Sequence, residues 1–355
     1  MTTEFWRNKK VLVTGHTGFK GSWLCLWLQQ VGADLCGLAL APETTPNLFE
    51  LAHVADKMQH HIGDIRDLNT VKSLINTFQP EIIIHMAAQP LVRYSYDHPV
   101  ETYATNVMGT AHVLEAVRYC DSVRVVVNIT TDKCYENKEW LWGYRENEPM
   151  GGHDPYSNSK GCAELVTSAY RTSYFNTEKC GLASARAGNV IGGGDWSKDR
   201  LIPDIINSLV NNEEIVVRYP GATRPWQHVL EPLNGYLTLA EKLWSAPEKF
   251  SEAWNFGPDA QSAVPVIDVV KKMLACWKQP TQGWSIQSPK DMPHEANYLK
   301  LDISKATTQL QWLPALDIES TLTWVTDWYQ AWLDNADMRD YSLKQIEDYC
   351  ALIKN

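Results

Sequence analysis

The sequence predicts an α/β fold, a doubly wound parallel (Rossmann-type) sheet with a smaller mixed α/β substrate-binding lobe. Short runs rich in Val, Ile and Leu alternate with helix-length amphipathic segments through the first half of the 355 residues. This alternation is typical of parallel sheets. A glycine-rich loop follows the first apolar run, which is the usual context of a dinucleotide site. Beyond residue 189, consecutive glycines and proline-containing loops break the alternation.

Composition narrows the class of protein. The chain is 44% hydrophobic and 21% charged, with a formal net charge of −10 and no basic cluster. That balance argues against nucleic acid or an anionic membrane as the main partner. The eight cysteines form no Cys-x-x-Cys pair and no zinc-type cluster with histidine, and no apolar run is long enough to span a bilayer. We therefore expect a reduced, metal-free, cytoplasmic protein without a signal peptide.

The glycine loop is the first candidate site. An apolar strand over residues 11–14 runs into the loop, and a helix follows. Gly15 would allow the tight turn, Gly18 the approach of a pyrophosphate, and Gly21 the packing of helix on strand. The phosphates would lie at the helix N-terminus. His16 would meet the pyrophosphate or be exposed. The predicted cofactor-binding loop comprises Gly15, His16, Thr17, Gly18, Phe19, Lys20 and Gly21.

The residues at the end of the second strand indicate which cofactor would bind and how tightly. Residues 34–40 form this strand, and Ala41 and Pro42 follow. An NAD site usually has an acid here that holds the ribose hydroxyls. Its absence predicts weak NAD binding, and the absence of an arginine argues against NADP. Glu43 could restore the ribose contact if the loop folds back.

Further cofactor contacts are expected at later strand ends. The third strand, over residues 58–65, ends in Asp64 and Ile65, which could cap an adenine. The fourth strand, residues 81–89, runs into a small-residue turn that would let backbone lie against the cofactor. A helix is predicted over residues 100–119 from apolar side chains at helical spacing.

Two groups of polar residues are candidates for catalysis. The fifth strand, residues 124–130, would deliver Thr131, Asp132 and Lys133 to the carboxyl edge of the sheet, where such sheets bind ligands. Tyr156 and Lys160 are four residues apart in the next helix, residues 156–174, and share a face. A nearby ammonium would lower the tyrosine pKa from about 10 and make a general acid/base. A surface helix with Tyr and Lys on one side is the plain alternative.

The sixth strand, residues 182–186, completes the predicted sheet. We expect an NAD-binding domain over residues 1–188, with residues 228–258 returning to it. A second, smaller domain would comprise residues 189–227 and 259–355. It would contain a helix over 201–210, a strand over 215–218 and a helix over 266–277.

These motifs resemble those of the extended short-chain dehydrogenase/reductases, over nearly the whole chain. The residues that carry the likeness are Thr14-Gly15-x-x-Gly18-x-x-Gly21, Asp64-Ile65, His85-x-Ala87-Ala88-Gln89, Asn106 and Tyr156-x-x-x-Lys160. Two segments look like those of the CDP-glucose 4,6-dehydratase branch: Thr131-Asp132-Lys133-x-Tyr135 and Thr223-Arg224-Pro225-Trp226-Gln227-His228-Val229. The dTDP-glucose dehydratases carry Thr-Asp-Glu and Arg-Asp-Trp at these places.

The resemblance implies a bound, recycled NAD and a CDP-glucose substrate, converted to CDP-4-dehydro-6-deoxyglucose and water within deoxysugar biosynthesis for lipopolysaccharide O-antigen. Tyr156 would take the 4-hydroxyl proton, Lys160 would hold the nicotinamide ribose, and Thr131 would donate to the developing oxygen charge. Asp132 would protonate the leaving 6-hydroxyl. Besides the loop, the implied cofactor contacts are Asp64, Ile65, Ala87, Ala88, Gln89, Asn106, Thr130, Tyr156 and Lys160.

Other roles stay open at this level. Lys133 stands where relatives have the glutamate that removes the C5 proton, so it would act as that base, orient a water or only pair with Asp132. Substrate contacts are expected from Asn189, Arg224 and His294, with Arg224 forking onto the diphosphate. His294 could equally be structural.

Two other functions compete with dehydration. A nucleotide-sugar 4-epimerase of the same family needs the tyrosine and lysine but no acid for elimination. A non-catalytic NAD-binding module needs neither. The resemblance also implies a homodimer through a four-helix bundle of the 100–119 and 156–174 helices, with a tetramer as a further possibility.

Overall fold

A computed structural model describes residues 3–175, 179–259, 262–287 and 299–354. The strands are β1 Lys10–Thr14, β2 Asp34–Ala39, β3 Gln59–Ile62, β4 Ile82–His85, β5 Val125–Ile129, β6 Gly181–Arg186, β7 Val190–Ile191, β8 Ile215–Val217, β9 Thr223–Pro225, β10 Gln227–His228, β11 Ala253–Asn255, β12 Ala263–Pro265 and β13 Trp284–Ile286.

The helices, in chain order, are α1 Thr3–Trp6, α2 Phe19–Gln30, α3 Leu48–Leu51, α4 Leu68–Phe78, α5 Val92–Asp97, α6 Pro99–Tyr103, α7 Gly109–Val117, α8 Pro155–Ser173, α9 Leu201–Val210, α10 Leu230–Ser245, α11 Pro247–Phe250, α12 Val266–Cys276, α13 Ile318–Leu333 and α14 Met338–Leu352. The described residues also include the π-helical turns Ala104–Met108 and Ala306–Leu310 and the 3₁₀ turns Val54–Lys57 and Asp132–Cys134.

The main sheet has seven strands in the order β11-β6-β5-β4-β1-β2-β3. Each neighbouring pair is parallel. The prediction of a doubly wound parallel sheet is therefore confirmed. The strand order reverses between β1 and β4, and ligands of such sheets bind in the crevice at the carboxyl ends near this point.

Helices cover both faces of the sheet, which explains why its central strands are continuous apolar runs. Every residue of β4 and β5 is buried. On one face α2 and α10 contribute large side chains such as Trp23, Trp27 and Leu233 to the core. On the other face α4 and α7 contribute Ile75 and Val113. The two layers hold the strand ends in register.

Two predicted boundaries need correction. The third strand ends at Ile62 instead of residue 65, because the chain turns where the Arg66 N–H donates to Asp64 Oδ1 at 2.8 Å. The helix predicted over residues 100–119 begins at Pro99 and ends at Val117. The π-helical turn interrupts it, and Asn106 lies in that turn.

The smaller lobe is built from short strand pairs and helices. β8 pairs with β13, β9 pairs with β12 in antiparallel register, and β7 pairs with β10. Helices α9 and α12 pack with these pairs. Strand β11 joins the main sheet beside β6, as the returning segment requires. The exact domain boundaries stay a prediction.

Within the described ranges, no helix is both long enough and apolar enough to cross a membrane. The same residues contain no group of three or more His, Cys, Asp or Glu side chains that could hold a metal ion.

Glu231 in α10 ties the C-terminal part of the chain to the core. One of its carboxylate oxygens accepts the N–H groups of Ala315 and Leu316 at 2.9 and 2.7 Å. The other accepts the Tyr349 hydroxyl at 2.6 Å. Burial raises the pKa of Glu231 to about 7, and the three hydrogen bonds only partly oppose this shift.

Stability should therefore fall as the pH rises through about 7. The folded state binds this proton more tightly than the unfolded chain, where glutamate titrates near ~4.3, so the contribution is complete at acidic pH and lost above neutrality, by up to about 3 kcal/mol. We expect the melting temperature to decline between about pH 4 and 7 and Glu231→Gln to flatten that decline. The exposed Glu248→Gln is the control; an identical decline in Glu231→Gln would contradict the assignment.

Candidate active site

Strand β5 delivers three polar residues to the carboxyl edge of the sheet. Thr131 caps the 3₁₀ turn, and its Oγ1 accepts the Lys133 N–H at 3.3 Å. The same hydroxyl donates to Asp132 Oδ1 at 3.0 Å. The turn therefore fixes Thr131 and Asp132 against each other, while the side chain of Lys133 is half-buried beside them.

Helix α8 begins at the same edge. The Asp154 carboxylate accepts the Ser157 N–H at 2.8 Å, and Pro155 occupies the first helical position, both strong signals for a helix start. Tyr156 and Lys160 lie on the buried face of α8. The Lys160 ammonium donates to the Ile129 carbonyl at 3.3 Å, so α8 brings the pair to the end of β5.

The electrostatics of this pair differ from the expectation. Burial raises the pKa of Tyr156 to about 12, while a hydrogen bond with Thr131 and the charge of Arg200 only partly oppose it. Burial also lowers the pKa of Lys160 to about 8, against the charge of Glu164. The predicted lowering of the tyrosine pKa by Lys160 is wrong, because desolvation disfavours the phenolate more than neighbouring charges favour it.

A buried ion pair anchors α8 to the sheet. Glu164 and Arg186 are both 4% exposed, and their side chains are 2.8 Å apart. Glu164 also accepts the Thr130 hydroxyl at 2.5 Å and the Ser184 hydroxyl at 2.6 Å. Arg186 donates to the Tyr135 hydroxyl at 2.6 Å. Because these partners come from β6 and from the segment that follows β5, the network sets the position of α8 above the sheet edge.

Asp132 is 2% exposed. Its Oδ1 accepts from Thr131, and its Oδ2 accepts from the Asn189 side-chain amide at 3.3 Å. Burial raises the pKa of Asp132, and the charges of Lys133 and Arg224 and the hydrogen bond from Thr131 oppose the shift. The structure thus places the predicted residues Asn189 and Arg224 near the carboxyl group of Asp132.

The glycine loop has the shape that a dinucleotide needs. Gly15 has φ +78°, and a side chain there would crowd the Ala87 backbone. A side chain on Gly21 would overlap the Gly15 carbonyl oxygen, where α2 packs onto the loop. Gly18 is exposed, and no side chain caps the start of α2. The free N–H groups of that helix end remain for an anion.

The side chain of His16 does not extend from this loop. It is fully buried, and its Nε2 lies 2.6 Å from Nδ1 of His60 in β3. Phe49 packs against both rings. Burial and the His60 charge lower the pKa of His16 to about 3. The expectation that His16 meets the pyrophosphate or solvent is wrong, because the side-chain-free Gly37 opens space for the ring beneath the loop.

The other side chains of the glycine loop either pack against neighbouring elements or extend toward the active site. Thr17 donates to the Leu40 carbonyl at 2.8 Å, which joins the loop to the end of β2. Phe19 is half-buried at the start of α2. Lys20 donates to the Tyr236 hydroxyl at 3.0 Å. Burial and the charges of Lys160 and Arg200 lower the pKa of Lys20 to about 7.

The remaining predicted cofactor residues follow β3 and β4 or lie in the first π-helical turn. Asp64 is held by Arg66 at 2.6 Å, and Ile65 is buried beside it. Asn106 donates to the Gln89 carbonyl at 3.1 Å and the Ser159 hydroxyl at 2.8 Å.

Ala87 and Ala88 form the small-residue turn after β4, and the Ala87 N–H donates to Thr14 at 3.2 Å. Thr130 is turned toward Glu164. Arg224 donates to the Thr223 carbonyl at 3.1 Å. His294 lies outside the described residues.

Sequence reasoning missed two members of the site, Glu164 and Arg200. Glu164 continues the Tyr156 and Lys160 spacing by one helical turn, a signal that was present in the sequence. Arg200 precedes α9, pairs with Asp195 at 3.2 Å and acts on Tyr156 through its charge. No local sequence pattern indicates that the Lys20 side chain extends into the site, because its position depends on how α2 packs against α10.

Comparisons with known proteins agree with this geometry. A family model described as GDP-mannose 4,6 dehydratase matches residues 12–324. The chain belongs to this family. A CDP-glucose 4,6-dehydratase of Salmonella typhimurium is 56% identical over 351 residues, covering 98% of this chain and 97% of the relative. A dTDP-D-glucose 4,6-dehydratase of Mus musculus is 26% identical over 331 residues, covering 91% of this chain and 89% of the relative.

Solved structures of this fold include a dTDP-glucose 4,6-dehydratase of Streptomyces venezuelae with NAD bound, at a TM-score of 0.77 and 22% identity, covering 90% of this chain and 96% of that one. A UDP-glucose-4-epimerase of Stenotrophomonas maltophila with NAD bound reaches 0.79 at 19% identity, covering 93% and 100%. Dehydratases and epimerases thus share the architecture, and side chains must distinguish them.

The pKa of Lys160 predicts a pH dependence. If its positive charge supports proton transfer at Tyr156, the rate should fall as the pH rises through about 8, where the charge is lost. Lys160→Met should lower the rate by about 10²- to 10⁴-fold and remove this basic limb. Lys20→Met, measured at saturating cofactor, should retain the limb. A limb that persists in Lys160→Met would assign the titration to another group.

Proposed function

We propose that the protein catalyses the NAD-dependent dehydration of CDP-glucose to CDP-4-dehydro-6-deoxyglucose. The observation that carries the proposal is the buried Asp132 carboxyl, held by Thr131 next to the Tyr156 and Lys160 pair. An epimerase needs no such acid. The 56% identity to a CDP-glucose 4,6-dehydratase supports the nucleotide assignment. A cytoplasmic location and a role in O-antigen deoxysugar synthesis accord with this reaction.

The residues of the crevice fit NAD. The glycine loop leaves room at Gly18, and the uncapped start of α2 offers N–H donors to the pyrophosphate. Asp64 and Ile65 would meet the adenine, Asn106 would order the turn at Gln89, and Lys160 would hold the nicotinamide ribose. When bound, NAD supplies the oxidising power by accepting a hydride from C4 and returning it to C6.

Oxidation at C4 requires removal of the hydroxyl proton. Tyr156 would accept that proton, while Thr131 stabilises negative charge on the oxygen and Lys160 and Arg200 supply positive potential. Because the pKa of Tyr156 is raised to about 12, the phenol is protonated at rest. The deprotonated form must therefore be stabilised by these neighbours when the substrate is in place.

Elimination follows at C5 and C6. A base takes the C5 proton, the electrons of that bond form the C5–C6 double bond, and the C6–O bond breaks. Asp132 gives its proton to the leaving oxygen, which departs as water. Lys133 is adjacent to Asp132 and is the candidate for the base at C5. Arg224 would bind the diphosphate in a two-pronged contact, and Asn189 and His294 complete the proposed substrate contacts.

Incubation with NAD and CDP-, dTDP-, GDP- or UDP-hexoses, followed by mass spectrometry, tests the function. We expect loss of one water from CDP-glucose and much slower conversion of the others. A product of unchanged mass with inverted C4 configuration would assign an epimerase instead. No turnover of any hexose, with intact NAD binding, would favour a non-catalytic module.

Two variants serve as matched controls for that assay. Asp132→Asn cannot donate the proton to the leaving oxygen, so NADH should build up while water loss falls by about 10²- to 10⁴-fold. Tyr156→Phe should form no NADH, because it blocks the first step. Product formation at the normal rate in Asp132→Asn would rule out its role as the acid.

NAD should bind weakly. Strand β2 ends at Ala39 without an acid, and Glu43 is exposed beyond it. Hydrogen bonds to a charged partner are worth about 1.5–3 kcal/mol, so their loss weakens binding roughly ten- to a hundredfold. Calorimetric titration should give a dissociation constant above micromolar, with only a mild preference over NADP. Full NAD occupancy after purification would contradict this prediction.

We also propose a homodimer through the helices of the α6–α7 segment and α8, with a tetramer as the larger possibility. Val100, Met108 and Leu165 are 81%, 51% and 60% exposed on these helices. Val107 and Ala111 are only partly covered. So much apolar surface on adjacent helices is typical of an interface.

Sedimentation at micromolar concentration should therefore report a dimer or larger assembly, and Leu165→Glu should shift it toward the monomer. Leu313 is equally exposed, at 60%, in a different part of the chain. Leu313→Glu is the matched control and should leave the assembly intact. A monomeric unmodified protein would defeat the proposal.

A further inference from the structure

The turn after β6, formed by Gly188 and Asn189, has an unusual backbone conformation and lies against Asp132. Asn189 has φ +50°, a left-handed conformation that is unfavourable for most residues with a side chain. Asparagine tolerates this conformation better than most residues. Strained backbone of this kind persists where the surrounding structure holds it, commonly at functional sites.

Gln227 in β10 holds the turn in place. Its backbone N–H donates to the Asn189 carbonyl at 3.2 Å. Its side-chain amide donates to the Gly188 carbonyl at 3.0 Å and to the Phe256 carbonyl at 3.1 Å. Gln227 is 2% exposed. Gln227 therefore holds the turn through both its backbone and its side chain.

Gly188 lies directly against the carboxyl group of Asp132, the proposed acid. A side-chain carbon built on Gly188 would overlap the carboxyl group of Asp132. Glycine at this position lets backbone close over the carboxyl and exclude water from it. The neighbouring Asn189 amide then donates to Asp132 Oδ2 at 3.3 Å, while Thr131 contacts Oδ1.

We propose that the Gly188–Asn189 turn is a positioning element that orients Asp132 for the elimination step. The inference rests on the proposed dehydration, because only that reaction needs an acid at the leaving oxygen. It assigns to Asn189 a role toward Asp132 that is separate from any contact with substrate. Among the described residues, no hydrogen bond joins Tyr156 or Lys160 to the turn, so oxidation at C4 should depend on it less than elimination does.

Asn189→Gly isolates the side-chain amide. Glycine accepts the positive φ, so the backbone is retained while the hydrogen bond to Asp132 is lost. In single turnovers with NAD and saturating CDP-glucose, NADH should form at the normal rate and decay about 10- to 100-fold more slowly. A change in the KM for CDP-glucose reports the separate substrate contact proposed for Asn189, whereas slower NADH decay with normal NADH formation reports the effect on Asp132.

Gly188→Ala tests the close approach. The added methyl group must displace the carboxyl, so the decay of NADH should slow by about 100-fold or more. Gly221→Ala is the matched control, because a side-chain carbon there meets nothing within 4 Å. Melting temperatures of all three variants establish that they fold.

The outcomes separate the alternatives. Slow NADH decay with normal formation supports the positioning role. If NADH formation and decay slow by the same factor, Asn189 acts through substrate binding and not through Asp132, and the inference is overturned; unchanged kinetics in Asn189→Gly overturn it as well. Failure of the proposed function shows in the unmodified protein instead, which would form no NADH with CDP-glucose, and the inference would fall with it.

Discussion

The buried ion pair between Glu164 and Arg186 is the interaction on which the site depends. It joins α8 to β6, and the Thr130 hydroxyl adds β5 to the same carboxylate. Breaking a buried pair leaves an uncompensated charge and typically costs about 3–5 kcal/mol. Tyr156 and Lys160 are positioned by the helix that this pair holds, so their distance from the end of β5 follows from it.

Burial then determines the charge state of the site. It raises the pKa of both Tyr156 and Asp132 and lowers the pKa of both Lys160 and Lys20. Each shift favours the neutral form, as expected when ionised groups lose water. Lys160 and Lys20, with pKa values of about 8 and about 7, can exchange protons at little cost near neutral pH, whereas Tyr156 needs its neighbours to stabilise the phenolate. The site is therefore suited to repeated proton transfer, which oxidation, elimination and reduction on one sugar require.

The substrate side of the site is fastened to the sheet through a second network. The Tyr135 hydroxyl accepts from Arg186 and donates to Asn255 at 2.7 Å. The Asn255 side chain donates to the Tyr144 carbonyl at 2.8 Å and to the Asp302 carbonyl at 3.2 Å. Because Asn255 belongs to β11, the last strand of the main sheet, the loop that follows Asp132 is coupled to the sheet edge.

The sequence alone determined the parallel sheet, the glycine loop and the Tyr156 and Lys160 pair, because periodicity and short spacings are local properties of the chain. It also indicated Asp132 and Asn189 through their places at strand ends. Tertiary structure decided the rest. The pKa of Tyr156 depends on how completely neighbours exclude water, and the burial of His16 depends on space beside Gly37 in another strand. The hydrogen bond from Asn189 to Asp132 joins residues 57 apart in sequence, so only the packing of β6 beside β5 could bring them together.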